Sequence, residues 1–318
     1  MVAGPCRYRG WMRRLLLMAN PAASGFTAML HRAVVATLRP HFEVTPVWPD
    51  DPLQAEAEAA AAAAAGIEVV AAMGGDGIVH RVANGITGTR SCLAVIPAGT
   101  SNVFARITGH PRRGVAAAEA IVAASRVTDL TTIRIDATGP GVAIERVAVF
   151  AAGLGYDADV IRESERRPLG KVGAGTIHYT RSSLRVAFAG YRNRHPDISV
   201  TVDGTTSRAA TVIVQVHDQL TFLGRRALTL SPEGGPAAIA IQRATPWRLL
   251  RVVAAAARHR HPGTVPGVTV RHPFTELEAV ADDVTGLEAD GEFLGEITRM
   301  RLTVMPASLR LLVPGAVR

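Results

Sequence analysis

The feature that most constrains this chain is the order of its first 130 residues. Short apolar runs there alternate with stretches of helical character, and three of the runs end in loops rich in Gly, Asn, Ser and Thr. Strands are expected at Leu15–Met18, Val44–Val47, Glu68–Met73 and Leu93–Ile96. Helices are expected at Thr27–Leu38, Gln54–Ala65 and about Val79–Asn84, with further helical character after Asn102. Strands separated by helices must be joined by crossovers, which predicts βαβ units and a parallel sheet. Ligands of such sheets sit beyond the carboxyl ends of the strands, where the three loops fall.

After Asp129 the texture changes to short apolar runs separated by Gly, Pro and Asp. They include Ala143–Phe150, Ile198–Val202, Ala209–Val216, Ala237–Ile241, Glu276–Val280 and Leu287–Ala289, with helical stretches at Ile177–Tyr191 and Pro246–Arg258. That pattern predicts a second domain that is mainly antiparallel β. The expected division is residues 1–131, completed by 301–318, against residues 132–300. A length of 318 residues is ample for two cores.

With 48% hydrophobic and 19% charged residues the chain is globular rather than disordered. The net charge of +8 suits an anionic partner, whether nucleotide, acidic membrane or nucleic acid. Basic clusters lie at Arg162–Lys171 and Arg258–His261, without an RNA-binding aromatic signature or zinc-finger spacing, so no nucleic-acid partner is expected. Two cysteines, Cys6 and Cys92, make no disulfide framework and fit a reducing cytoplasm. The apolar stretch after Arg13-Arg14 ends at Asn20-Pro21, short of a secretory signal, and no run approaches the ~18 apolar residues of a membrane span. Any lipid is therefore expected to be met from the surface.

Gly74-Gly75-Asp76-Gly77 follows a strand and opens a helix. Glycines there let backbone amides approach a phosphate, and the helix dipole favours an anion. Asp76 would repel that phosphate unless it faced Mg²⁺ or oriented another group. Taken alone, the tetrapeptide reads equally well as a tight turn whose aspartate caps a helix. Asn20 to Gly25 and Pro97 to Asn102 are each ordinary turns in isolation, but three such loops at successive strand ends look like a polyphosphate cradle.

The strings NPAASG, GGDGIVHRVANGI and AVIPAGTSNVFAR resemble, in order, the signatures of the diacylglycerol kinase catalytic domain, shared with sphingosine and ceramide kinases. Downstream, AAGLGYDADVI, TFLGRRALTLSP and LEADGEFLG continue the resemblance to about Pro306. The resemblance implies a Rossmann-like α/β domain of three layers, a β-rich lipid domain, ATP as co-substrate and Mg²⁺. It implies that Asn20, Ser24, Gly25, Gly74, Gly75, Gly77, Gly99, Thr100 and Asn102 shape the nucleotide site. Asp76 would join Asp129 in a water–Mg²⁺ network, with Glu292 near nucleotide and metal. Asp290 would be the base that deprotonates the lipid hydroxyl, although Asp290-Gly291 by itself reads as a hairpin turn. Lys171 is the candidate phosphate-facing cation, with a solvated loop lysine as the other reading. The implied setting is the cytoplasmic face of a membrane, with a second copy of the chain as a candidate partner.

Several positions depart from the family pattern. Ile78 stands where a threonine is common, His80-Arg81 replaces a pair ending in glutamate, and Val103 replaces an aspartate of the metal network. Arg81 reverses charge beside the nucleotide loop. These changes keep open a catalytically degenerate nucleotide- or lipid-binding regulator. An NAD or sugar-phosphate kinase on the same scaffold is the further alternative.

Overall fold

A computed structural model describes residues 13–124, 126–166 and 195–314. Lys171 and the helix expected at Ile177–Tyr191 lie outside the described residues. The chain divides into two compact units, Met1–Thr131 with Pro306–Arg318, and Thr132–Met305. Two long strands carry the chain across the division: β5 (Arg126–Gly139) and β16 (Glu292–Val313). No strand was expected over Arg126–Gly139, and β16 begins well before residue 301, where the return to the first domain was expected.

The first unit holds β1 (Arg13–Ala19), α1 (Ala28–Leu38), β2 (Phe42–Val47), α2 (Pro52–Ala64), β3 (Val69–Gly74), α3 (Asp76–Ile86), β4 (Cys92–Pro97), α4 (Val103–Ile107) and α5 (Gly114–Val122). Its sheet has parallel pairs in the order β16-β4-β3-β1-β2, which the C-terminal part of β16 enters beside β4, and β5 also pairs with β16. All six residues of β3 and of β4 are buried, as both-faces-covered parallel strands require. Edge strand β2 tolerates Pro46, which has no N–H for a ladder. Alternate residues divide the core: Leu15, Leu17, Val69, Ala71 and Ile96 face α1 and α5.

Helices α2 and α3 pack as a pair, and here the alanine-rich sequence has a packing cause. A Cβ on Gly85 of α3 would lie 2.5 Å from the Glu56 carbonyl oxygen and 2.7 Å from Ala59 Cβ. Only small residues allow that approach. The same pair settles the place of Arg81. It is buried on α3, and its Nη1 lies 3.3 Å from Glu56 Oε2 on α2. The charge change thus has an oppositely charged partner on the neighbouring helix.

The second unit is built on antiparallel strands. Its main sheet runs β14 (Val268–Arg271), β13 (Ala237–Ile241), β10 (Thr211–Gln215), β7 (Ala151–Gly155), β15 (Glu276–Ala289) and β16. Strand β8 (Ile198–Val202) pairs with β15 and with β9 (Thr205–Ala209), and β5 pairs with β6 (Val142–Ala148). A short hairpin joins β11 (Thr221–Leu223) to β12 (Arg226–Leu228). Helix α6 (Tyr156–Arg166), unforeseen from the sequence, packs on β7 and β15, and α7 (Pro246–Ala257) lies over β13 through Val252. The sequence reading also split β15 in two, because the polar stretch Ala281–Thr285 masks its continuity. An apolar crevice lined by Val200, Val212, Ile239 and Leu277 holds about 10 Å³, room for no more than one water and far short of an acyl chain.

His110, in the turn after α4, is 4% exposed, and burial drives its imidazole down to about 4. Its Nδ1 lies 2.8 Å from the Thr108 hydroxyl. The fold keeps this ring neutral, whereas the unfolded chain protonates it below about pH 6.5. Stability is therefore flat above pH 6.5 and falls as pH drops from 6.5 to about 4, by on the order of 3 kcal/mol. Urea unfolding of the wild type and His110→Asn across that window should show the extra slope in the wild type alone. For the helix pair, Glu56→Gln should cost about 1–3 kcal/mol by leaving Arg81 without its carboxylate, with nucleotide affinity unchanged.

Candidate active site

In the first unit the order β16-β4-β3-β1-β2 reverses direction between β1 and β3, since β1 leads to β2 on one side and the chain then returns to β3 on the other. Such a switch point leaves a crevice outside the carboxyl ends of the strands. The loops after β1, β3 and β4 meet there, and backbone hydrogen bonds lock them together. Asn20 N–H donates to the Met73 carbonyl (3.0 Å), Gly25 N–H to Ala98 (2.8 Å), and Ala98 N–H to Gly74 (2.8 Å). Asn20 Oδ1 accepts from Ala22 N–H, closing the first loop, and the Ser24 and Thr100 hydroxyls lie 2.8 Å apart, tying the first loop to the third.

Close approach explains most of the glycines. A Cβ on Gly99 would come within 2.5 Å of Gly75 Cα, and one on Gly25 within 2.9 Å of the Ala98 oxygen. On Gly74 it would meet Ile78 Cγ2 at 2.7 Å, so Ile78 fills the space beside the loop where a hydroxyl was expected. Gly77 differs. Among the described residues nothing but its chain neighbours and its own helix's backbone comes within 4 Å of its would-be Cβ, and its φ is not in the left-handed region. Open space flanks it on the first turn of α3, whose N-cap is Gly75 and brings no capping side chain. The first-turn amides of a helix have no intrahelical acceptor, and a phosphate satisfies them.

Asp76 does not cap its own helix. Its Oδ2 accepts from Val103 N–H and its Oδ1 from Phe104 N–H, both at 3.0 Å, so it caps α4. Ahead of that helix Asn102 takes a left-handed conformation (φ 45°), and its side chain bridges the Gly99 N–H and carbonyl at 3.0 and 2.7 Å. Position 103, where the family pattern has an aspartate, contributes its backbone amide to Asp76. Beside this cap lies Arg106. Burial, then the charge of Arg112, lower its guanidinium, and the Asp76 carboxylate opposes the shift, which puts Arg106 within the field of Asp76. The sequence reading looked to Lys171 for a cation and passed over Arg106, although it ends the string AVIPAGTSNVFAR.

Of the carboxylates expected to share Mg²⁺, Asp76 and Asp129 lie in the first unit and Glu292 in the second. Asp129 is half exposed on β5 and pairs with Arg310 at 3.8 Å. Glu292 opens β16 in the second unit, opposite Ala289. Among the described residues no group of three His, Cys, Asp or Glu side chains is gathered to hold a metal.

In the second unit Asp290 and Gly291 form the two-residue turn between β15 and β16, both with positive φ (53° and 82°), the conformation an Asp-Gly hairpin turn requires. Asp290 is 2% exposed. Its Oδ2 accepts from Val149 N–H (2.8 Å) and its Oδ1 from Phe150 (2.8 Å) and Ala151 (3.0 Å). The carboxylate therefore anchors the chain at the start of β7. Next to it, Glu288 Oε2 accepts from Gly291 N–H at 3.0 Å and its carboxyl bonds to Asp157 of α6. Burial first, and then the charge of Asp157, push the Glu288 carboxyl well above the usual range. Gly153 makes room for the pair, since its Cβ would lie 2.8 Å from an oxygen of each. Burial likewise holds the nearby His217 imidazole below its usual value. The sequence reading quoted the strings containing Asp157 and Glu288 but gave neither residue a role; only β7–β15 pairing brings them together.

An α/β unit with interlocked loops at a parallel-sheet switch point is followed along the chain by a β-rich unit. Residues 14–134 match the family model of the diacylglycerol kinase catalytic domain. No curated protein sequence matches the chain. Among solved structures it is similar to a candidate diacylglycerol kinase of Bacillus anthracis str. Sterne, with TM-score 0.72 at 17% identity over 95% of this chain and 97% of that one. A diacylglycerol kinase of the same organism aligns with TM-score 0.68 at 15% identity over 96% and 98% of the two chains. At such identities the likeness establishes a shared fold.

The glycines separate two roles. Gly99→Ala should destabilise the fold by about 1–3 kcal/mol through the Gly75 contact. Gly77→Ala should leave stability unchanged or raise it by up to about 1 kcal/mol, yet weaken ATP binding tenfold or more. Thermal unfolding and calorimetric titration of the two variants check this.

Proposed function

We propose that the chain is a lipid kinase, transferring the γ-phosphoryl group of ATP to the hydroxyl of a lipid alcohol, with diacylglycerol first and a sphingoid base second. The observation that carries the reading is the open space at Gly77, on an uncapped helix start, inside loops that are otherwise locked backbone to backbone, within a segment of the diacylglycerol kinase family. Amides of Gly75, Gly77 and the first turn of α3 would hold the phosphates, with Asn20, Ser24 and Thr100 shaping the rim. Arg106 would balance phosphate charge, the part first assigned to Lys171. Mg²⁺ would arrive with the nucleotide, screening its phosphates.

Transfer forms a bond from the lipid oxygen to γ-phosphorus and releases ADP, and the hydroxyl proton must go to a base. Asp290 is the proposed acceptor. Because three amides already bind its two oxygens, it would take the proton on a remaining lone pair, and its anchoring role must be separated from catalysis. Arg81 has Glu56 as a partner on the neighbouring helix, which leaves the alternative of a non-catalytic regulator resting on Val103. No helix among the described residues is long and apolar enough to cross a membrane. A peripheral position on the cytoplasmic face is the proposed setting.

The test is phosphoryl transfer from labelled ATP with purified protein and a panel of diacylglycerol, sphingoid bases, NAD and sugar phosphates. Transfer to a lipid is expected, with Asp76→Ala and Asp290→Asn each lowering kcat by at least 10²-fold. A Tm scan of both variants separates lost chemistry from lost fold. Labelling of NAD or sugar alone, or full activity in both variants, sinks the reading.

A further inference from the structure

Helix α7 carries two apolar faces, and the core uses one of them. Val252 and Ala256 are buried, with Val252 packed beside Leu230, Ile239, Ile241 and Val268. On the other side Trp247 is 75% exposed, Leu250 56% and Val253 41%. At 100° per residue these three, with Ala254 and Ala257, span about 120° of the helix surface. Arg258, Arg251 and Arg248 continue round from the edge of that stripe. A tryptophan left three-quarters in water on a helix whose inner face is already satisfied has no folding purpose.

Charge says what would cover it. From Gly235 to Thr275 the chain holds six arginines (243, 248, 251, 258, 260 and 271) and no aspartate or glutamate. Arg251, Arg258 and Arg260 are exposed, and Arg258 is steadied along the helix by a bond to the Ala254 carbonyl at 3.2 Å. Immediately after the helix come His259, Arg260 and His261, also exposed. An apolar stripe topped by tryptophan and bordered by arginine is the composition of a helix lying in a bilayer interface. A protein partner would also accept the stripe, but it would need acidic side chains matched to a basic rim extending past the helix. Nucleic acid would match the rim and leave the stripe unused.

We infer that α7 is the membrane-docking element of this chain, lying flat on an anionic lipid surface with Trp247, Leu250 and Val253 inserted and Arg251, Arg258 and Arg260 at the headgroups. The inference rests on the peripheral setting proposed above and assigns it to one helix. Each arginine close to such a surface is worth roughly fivefold in partitioning, which makes attachment dependent on ionic strength.

The experiment is cosedimentation of the full chain with vesicles of phosphatidylcholine alone, and of phosphatidylcholine with one-third phosphatidylglycerol. Diacylglycerol and nucleotide are left out, so that failure here is distinct from failure of the kinase reading. Binding to the anionic vesicles alone, weakened by salt, is expected. Trp247→Ser with Leu250→Ser should lower it at least tenfold, as should Arg251→Gln with Arg258→Gln. All four side chains are exposed, so both variants should keep the wild-type Tm. The inference is overturned if the wild type ignores anionic vesicles, or if the serine variant binds them as the wild type does. Tighter binding to duplex DNA than to vesicles, unaffected by the serine substitutions, overturns it equally.

Discussion

Gly75 and Gly99 meet backbone to backbone, and the organisation of the first unit's crevice depends on that contact. With no side chain at either position, the loops after β3 and β4 come close enough for Ala98 N–H to reach Gly74 and for Gly25 N–H to reach Ala98. A Cβ at position 99 would press on Gly75 at 2.5 Å. The loops would then part, and the start of α3 would lose its fixed direction. Rigid backbone amides around an open space are what a highly charged phosphate chain needs, because preorganised donors do not have to be reoriented when the ligand arrives.

Asp76 extends the same logic from loops to helices. Caught between the start of α3 and the start of α4, its two oxygens hold Val103 and Phe104 while its charge stands near Arg106. The carboxylate is thus compensated by two amides and stands in the field of a guanidinium. The second unit repeats the device. Asp290, with three amides, closes a hairpin turn on the start of β7, and Glu288 holds the neighbouring Gly291. In each unit an acid organises main chain: Asp76 at the start of α4 and the buried Asp290 at the start of β7.

Much of the first unit was legible in advance. The strand runs at Leu15, Glu68 and Leu93 and the helix at Thr27 came out within two residues of the observed elements, because buried parallel strands are continuous apolar runs and helix caps are local. The second unit was less legible. Strands β5, β15 and β16 run 14, 14 and 22 residues through polar as well as apolar stretches, since each is held by different neighbours along its length. Helix α6 was missed for a related reason: its polar composition hides that Tyr156 and Val160 are buried by partners distant in the chain.

The amino-acid sequence by itself determined the α/β-then-β order, the three strand-end loops and the family resemblance, because strand and turn preferences and ordered signatures are properties of local residue order. Tertiary structure alone decided what individual side chains do. It turned Arg81 from a catalytic anomaly into the partner of Glu56, and made Asp76 the cap of a helix 27 residues away. It brought Arg106 to Asp76 and joined Asp157 to Glu288 across β7 and β15. These are contacts between segments far apart in the chain. Pairing, burial and the loss of water set their geometry and charge, and residue order does not encode those locally.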